Sequence, residues 1–107
     1  MFDSRRSARL DVKLRALYLT NDLVVDGLVD DLSRTGLFLH SLDCDQVGTQ
    51  GVLMVALPDR EPVRFDAKVV RVENAGRRGM ALYFDDAAVG HVALANFLMQ
   101  RHADLLA

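Results

Sequence analysis

The chain has 107 residues, of which 50% are hydrophobic and 26% are charged, and its formal net charge is −2. This length has room for one domain with one core, and the composition is that of a soluble globular protein and excludes a disordered one. The slightly acidic balance argues against general affinity for nucleic acid but leaves a local anion site possible.

We expect a cytoplasmic protein that does not insert into a membrane. The apolar run at residues 52–57 is far shorter than the roughly 20 residues that cross a bilayer. Charged residues near the N-terminus stand where a secretory signal needs apolar ones. Cys44 is the single cysteine of the chain, so no internal disulfide is possible.

Residues 1–10 show neither helical nor strand periodicity, and we predict a flexible arm there. The arm is basic, with Arg5, Arg6 and Arg9. A single domain is predicted over residues 11–107.

Alternation of apolar and polar residues predicts six strands in this domain, joined by short turns. Gly27, inside the second strand, indicates a bulge or a bend. Six closely spaced strands imply an antiparallel sandwich or barrel. The strands are predicted at residues 11–18, 23–32, 37–40, 52–57, 63–69 and 80–84.

The pattern changes to helical spacing after the last strand. Asp85 or Asp86 can cap a helix start, and the apolar residues that follow form one wide face. We predict a C-terminal helix of roughly 15 to 20 residues from about residue 86, longer than an average helix. Its apolar face either covers an open end of a barrel or leaves a strip for self-association.

The corner at residues 31–36 carries residue types suited to ligand binding. Side chains two apart on a strand point to the same face, so Asp31 and Ser33 would lie about 7 Å apart and could hydrogen-bond to the edge of a flat polar ligand. Gly36 permits positive φ in the turn and close approach of a ligand to the backbone. The same residues also suit an ordinary hairpin corner.

The arm and the corner together match a known pattern. Arg5-Arg6-Ser7-Ala8-Arg9, followed by Asp31-x-Ser33-x-x-Gly36, resembles the two-part motif of the PilZ domain family, RxxxR and then (D/N)xSxxG. Alone, the first part is equally typical of a solvated basic tail. The resemblance covers nearly the whole chain and implies a mainly β fold, a six-stranded antiparallel β-barrel with a C-terminal α-helix. Residues 79–84 also resemble the glycine-led last strand of the family.

The resemblance implies binding of cyclic di-GMP, which has two guanines and two phosphodiesters. It assigns phosphate contact and guanine stacking to Arg5 and Arg9, guanine hydrogen bonds to Asp31 and Ser33, and backbone access to Gly36. Arg6 and Arg34 are further candidates for ligand contact. The chemistry agrees, because planar forked guanidinium groups suit phosphates and stack on flat bases. No cofactor and no metal are expected besides this ligand.

We expect the arm to be mobile without ligand and to become ordered across the barrel when ligand binds, which changes the surface offered to a protein partner. The protein would then act in trans as a signalling adaptor. The outputs linked to the family are motility, exopolysaccharide synthesis and pilus function, and no residue of the chain selects among them.

The sequence gives less support to three other functions. An enzyme is not expected, because His91 and His102 would lie about 16 Å apart on a helix, too far to share a metal, and no nucleophile set or phosphate loop is present. A PilZ-like interaction module that binds no nucleotide is the main alternative. Nucleic-acid binding by the basic arm is a weaker one, since few aromatic residues accompany the arginines.

Overall fold

A computed structural model describes residues 13–85 and 91–106, with side chains as far as residue 104. The described chain forms six β-strands followed by one α-helix, in agreement with the predicted order. The predicted arm at residues 1–10 and the predicted helix start near residue 86 lie outside the described residues. The elements are β1 Leu14–Leu19, β2 Val24–Asp30, β3 Gly36–His40, β4 Gln50–Val55, β5 Val63–Glu73, β6 Gly79–Phe84 and α1 His91–Leu106.

The strands form a closed antiparallel barrel, so the barrel alternative is confirmed over the sandwich. Its strand order is β1-β2-β3-β6-β5-β4, and pairing of β1 with β4 closes the ring. Closure leaves no strand edge unpaired, which removes the usual template for aggregation. The motif corner joins β2 to β3, and β3 lies beside β6.

Alternation within the strands decides which side chains enter the barrel. In β5, Val63, Phe65, Ala67 and Val69 are buried, whereas the residues between them are exposed. The Phe65 ring stacks on the Phe84 ring of β6 with centroids 4.3 Å apart. Burial of this apolar surface is the main stabilising term of the fold.

The helix contributes to the same core. Leu94 and Leu98 are 0% and 5% exposed and belong to the hydrophobic cluster of the barrel, as expected for a helix that covers apolar surface. The opposite side exposes Val92 and Met99. No helix in the described part of the chain is both long and apolar enough to cross a bilayer.

The bulge predicted at Gly27 is wrong. Gly27 pairs in regular register with Ala16, and a Cβ on it would lie 2.2 Å from the His40 carbonyl oxygen. The glycine therefore permits close approach of β3. The register shift lies instead in β5 between Val69 and Arg71.

Several strand boundaries also differ from the prediction. β1 is Leu14–Leu19 and not 11–18, and β5 continues to Glu73 beyond the predicted residue 69. β2 ends at Asp30 rather than at residue 32, because Asp31 adopts a left-handed conformation with φ of 51°. Asp tolerates this conformation better than most residues. β4 runs from Gln50 to Val55 and is displaced two residues toward the N-terminus from the predicted 52–57, since the apolar run alone did not mark where pairing ends.

Candidate ligand-binding site

A concave site lies on the outer surface of the barrel, where the corner between β2 and β3 meets β5 and β6. Its cavity volume is about 170 Å³, smaller than the 300 to 1,000 Å³ usual for small-molecule pockets. A cavity of this volume can enclose only part of a larger ligand. Its lining consists of Asp31, Ser33, Thr35, Gly36, Leu37, Phe38, Val70, Arg71, Arg77, Ala81, Leu82 and Tyr83.

Asp31 and Ser33 line the same cavity, but not for the predicted reason. The left-handed Asp31 ends the strand, so simple alternation does not apply across residues 31 to 33. Leu32 between them is fully buried in the core. This buried leucine anchors the corner, and the polar residues on either side face the cavity.

The Ser33 hydroxyl is part of the hydrogen bonding of the corner. Its Oγ donates to the Gly36 carbonyl oxygen at 3.3 Å and accepts from the Thr35 amide at 3.3 Å. The Ser33 amide also donates to the Gly36 carbonyl at 2.9 Å. Ser33 is only 7% exposed, so the hydroxyl stabilises the turn from within.

Gly36 is required by strand packing. A Cβ at this position would lie 2.5 Å from the Leu82 carbonyl oxygen of β6. Its φ is not positive, so the corner does not use the left-handed conformation that glycine permits, and Gly36 begins β3 opposite Tyr83. Glycine at this motif position therefore lets β3 and β6 pair closely.

Arg77, in the turn before β6, is the residue of the site that sequence reasoning missed. Its Nη1 donates to Asp31 Oδ2 at 2.7 Å and lies 3.4 Å from Asp30 Oδ2. Its Nε donates to Glu73 Oε1 at 3.4 Å. The guanidinium carbon lies 3.8 Å from the centroid of the Phe38 ring, a cation–π geometry.

The ion-pair network changes the acidity of its members. Hydrogen bonding to Asp31 raises the pKa of Arg77 despite burial. Burial alone would raise the pKa of Asp30, but the hydrogen bonds from His40 and from the Asp31 amide lower it overall, with a smaller contribution from the charge of Arg77. Hydrogen bonds from Arg71 and Arg77 lower the pKa of Glu73. The network therefore favours charged groups at one end of the cavity.

The other end of the cavity is more open. Tyr83 on β6 is 48% exposed, and the bulge in β5 brings Val70 and Arg71 to the same wall. Between the two ends, Gly36 and Ala81 provide a low floor because they carry little or no side chain. A flat ring can lie across such a floor, between a cationic wall and an aromatic one.

The predicted site residues are thus brought together only in part. Asp31, Ser33 and Gly36 line one cavity, whereas Arg34 is exposed in the corner and is not part of the cavity lining. Arg5, Arg6 and Arg9 lie outside the described residues. Arg77 carries no local signal beyond a basic turn, since its partner Asp31 lies 46 positions earlier in the chain.

No group of three or more His, Cys, Asp or Glu side chains among the described residues has the geometry to hold a metal ion.

Solved structures with the same fold include three with TM-scores of 0.73 to 0.79. The inhibitor of motility MotI/DgrA from Bacillus subtilis is 22% identical with a TM-score of 0.76, and the match covers 96% of this chain and 53% of that one. YcgR from Escherichia coli in complex with c-di-GMP is 15% identical with a TM-score of 0.79, and the match covers 96% and 48%. The chain thus spans about half the length of these two proteins.

A third structure, the PilZ domain of Escherichia coli YcgR with c-di-GMP, is 15% identical with a TM-score of 0.73. The match covers 94% of this chain and 95% of that domain. A sequence comparison with curated proteins gives no significant match. The family model of the PilZ domain matches residues 3–100. The motif residues, the closed barrel and this match agree, and the chain belongs to the PilZ domain family.

Proposed function

We propose that this protein binds cyclic di-GMP at the cavity beside the β2–β3 corner. The observation that carries the proposal is that Asp31, Ser33 and Gly36 line one outer cavity together with Arg77 and Tyr83. A carboxylate suits the N–H edge of guanine, arginines suit phosphodiesters, and an aromatic ring suits a base face. Two structures with the same fold were solved with c-di-GMP.

The size of the cavity supports a site made of two parts. A volume of about 170 Å³ does not enclose a ligand with two purines and two phosphodiesters. Further contacts must come from other residues, and we assign them to Arg5 and Arg9, with Arg6 as an additional candidate. This assignment follows from the motif and stays a prediction, as does the ordering of the arm on binding.

Isothermal calorimetry with cyclic di-GMP tests the proposal. We expect micromolar or tighter binding by the wild type and a loss of about tenfold or more in Arg9→Ala and Asp31→Ala, since a charge-assisted hydrogen bond contributes about 1.5 to 3 kcal/mol. Arg64→Ala is the matched control, because Arg64 is an exposed arginine of β5 paired with Asp66 and lies outside the cavity. Equal affinity in all four proteins would refute the residue assignments.

The second candidate function is a protein-interaction module that binds no nucleotide. The Ser33 hydroxyl and Gly36 both have structural roles in the corner, so a complete motif is also compatible with an interaction module that binds no nucleotide. The same calorimetry separates the two functions. If the wild type gives no heat of binding at about 1 mM cyclic di-GMP, the affinity is too weak for a specific ligand site. That result would favour the interaction module that binds no nucleotide.

We further propose that the protein acts in trans as an adaptor and not as an enzyme, with a protein partner that senses the ligand-bound surface. The resemblance in fold to an inhibitor of motility makes motility the first output to examine, ahead of exopolysaccharide and pilus function. A pull-down with and without cyclic di-GMP should capture a partner in one condition only. The cytoplasmic location stays a prediction.

A further inference from the structure

Arg77 lines the cavity beside the motif corner, but it is not one of the residues of the family motif. It is 28% exposed, and its guanidinium contacts the carboxylates of Asp30, Asp31 and Glu73 while it lies over the Phe38 ring. An arginine held by this many partners has little freedom to rotate. It is therefore suited to hold another side chain in place.

Asp31 is the side chain that Arg77 holds most closely, at 2.7 Å. The carboxylate belongs to a residue in a left-handed conformation at the end of β2, where strand pairing does not define its direction. A carboxylate accepts several hydrogen bonds at once. Contact with Arg77 thus sets the orientation of the Asp31 carboxylate.

Charge gives Arg77 a second effect. Asp31 and Arg77 both line the cavity, and Arg77 also pairs with the carboxylates of Asp30 and Glu73 behind them. A ligand with two phosphodiesters would meet repulsion from these carboxylates if the guanidinium were removed. Arg71, which pairs with Glu73 at 2.7 Å and also lines the cavity, offsets charge but makes no described contact with Asp31.

We propose that Arg77 is a positioning residue for guanine recognition, which orients the Asp31 carboxylate toward the cavity and offsets the negative charge around it. This inference rests on the proposed binding of cyclic di-GMP. It makes the turn before β6 a third part of the ligand site, beside the arm and the corner. It also separates two roles, since Arg77 acts mainly by orienting Asp31, whereas Arg71, which makes no described contact with Asp31, acts through charge alone.

A double-mutant cycle tests the inference. Cyclic di-GMP affinity is measured by calorimetry for Arg77→Ala, Asp31→Ala and the double variant, and again with Arg71→Ala in place of Arg77→Ala. We expect Arg77→Ala to weaken binding by about tenfold or more. The double variant with Arg77→Ala and Asp31→Ala should bind only slightly more weakly than Arg77→Ala alone. By contrast, the fold losses in affinity caused by Arg71→Ala and by Asp31→Ala should multiply in their double variant.

Two further variants serve as controls. Arg77→Lys keeps the charge but loses the planar fork that orients Asp31, so its affinity should stay clearly below that of the wild type. Arg101→Ala removes an arginine that lies 5.1 Å from the Phe97 ring, outside the cavity, and should bind as the wild type does. The melting temperature of each variant is measured, and if Arg77→Ala is unfolded, the cycle is run with Arg77→Lys.

The outcomes distinguish this inference from the function on which it rests. Wild-type affinity in Arg77→Lys, or multiplying effects of Arg77→Ala and Asp31→Ala, would overturn the positioning role while cyclic di-GMP binding stands. No binding by the wild type would overturn both. Non-additive losses at Arg77 and Asp31, with independent losses at Arg71 and Asp31, are the result that the geometry predicts.

Discussion

Gly36 of the motif lies so close to Leu82 of β6 that a Cβ on the glycine would be 2.5 Å from the Leu82 carbonyl oxygen. The contact is between backbones, so no flexible side chain can move away to relieve it. The same two strands form part of the cavity wall. Gly36 therefore supports the site through the fold, in addition to any access that it gives a ligand.

Gly36→Ala is expected to destabilise the protein even without ligand. The added methyl group forces β3 and β6 apart, and overpacking of this kind costs about 1 to 3 kcal/mol. Urea denaturation of the ligand-free protein measures the change in the free energy of unfolding. Thr35→Ala is the control, because the backbone bond from the Phe84 amide to Thr35 is retained. Equal stability of Gly36→Ala and the wild type would contradict the close packing.

Ser33→Ala is expected to lower the free energy of unfolding by about 1 kcal/mol, the usual contribution of an intramolecular hydrogen bond. The variant loses the bonds from Ser33 Oγ to the Gly36 carbonyl and from the Thr35 amide. Ser41→Ala, just after β3, is the comparison, and it should cost less because the hydrogen bond from its hydroxyl to the Asp43 carbonyl is exposed to water. Loss of ligand affinity in Ser33→Ala with no change in stability would show that the hydroxyl serves the ligand only.

Asp30→Asn is expected to reduce the dependence of stability on acidic pH. The folded protein lowers the pKa of Asp30 below its ordinary value of 3.8, so the contribution of Asp30 to stability is fully present above that value. The contribution disappears as the pH falls through the lowered pKa. Thermal unfolding from pH 7 down to pH 2 should show a shallower decline for Asp30→Asn than for the wild type.

The comparison for Asp30 is Asp66→Asn, whose carboxylate is 88% exposed. This variant should follow the wild-type curve, since an exposed ion pair contributes little to stability. An unchanged slope in Asp30→Asn would mean that the contacts of Asp30 with His40 and Arg77 do not stabilise the fold.

Tyr18→Phe is expected to change stability at alkaline pH. Burial and the 2.9 Å hydrogen bond from the Tyr18 hydroxyl to Asp45 raise the pKa of the phenol well above its ordinary value of 10.0. Above about pH 10, the unfolded chain loses this proton and the folded one keeps it, so stability falls as the pH rises. Unfolding between pH 8 and pH 11 should show a smaller fall in Tyr18→Phe. An equal fall would show that Tyr18 ionises alike in both states.

Local pattern was enough to predict most of the barrel. Alternation over residues 63–69 predicted the buried face of β5, and all four apolar residues there are inside. The register shift lies where the adjacent Val69 and Val70 interrupt that alternation, and not at Gly27. Strand ends were predicted less well, because β2 ends before the left-handed Asp31 although the apolar pattern continues to the buried Leu32.

The candidate site was predictable only where a motif marks it. Asp31, Ser33 and Gly36 were identified from their spacing, but the sequence did not show that Ser33 and Gly36 also hold the corner together. Arg77 reaches Asp31 only after β5 and β6 fold beside β3. Contacts that depend on strand order leave no periodic trace in the sequence.

The most direct test of the central claim is a titration of isotopically labelled protein with cyclic di-GMP, followed by amide chemical shifts. We expect the largest shifts among residues 13–85 at the cavity residues Asp31, Ser33, Gly36, Arg77 and Tyr83. Met54 and Arg64, on the outer side of β4 and β5, should change little. Saturable shifts centred on Met54 and Arg64, with the corner unchanged, would contradict it.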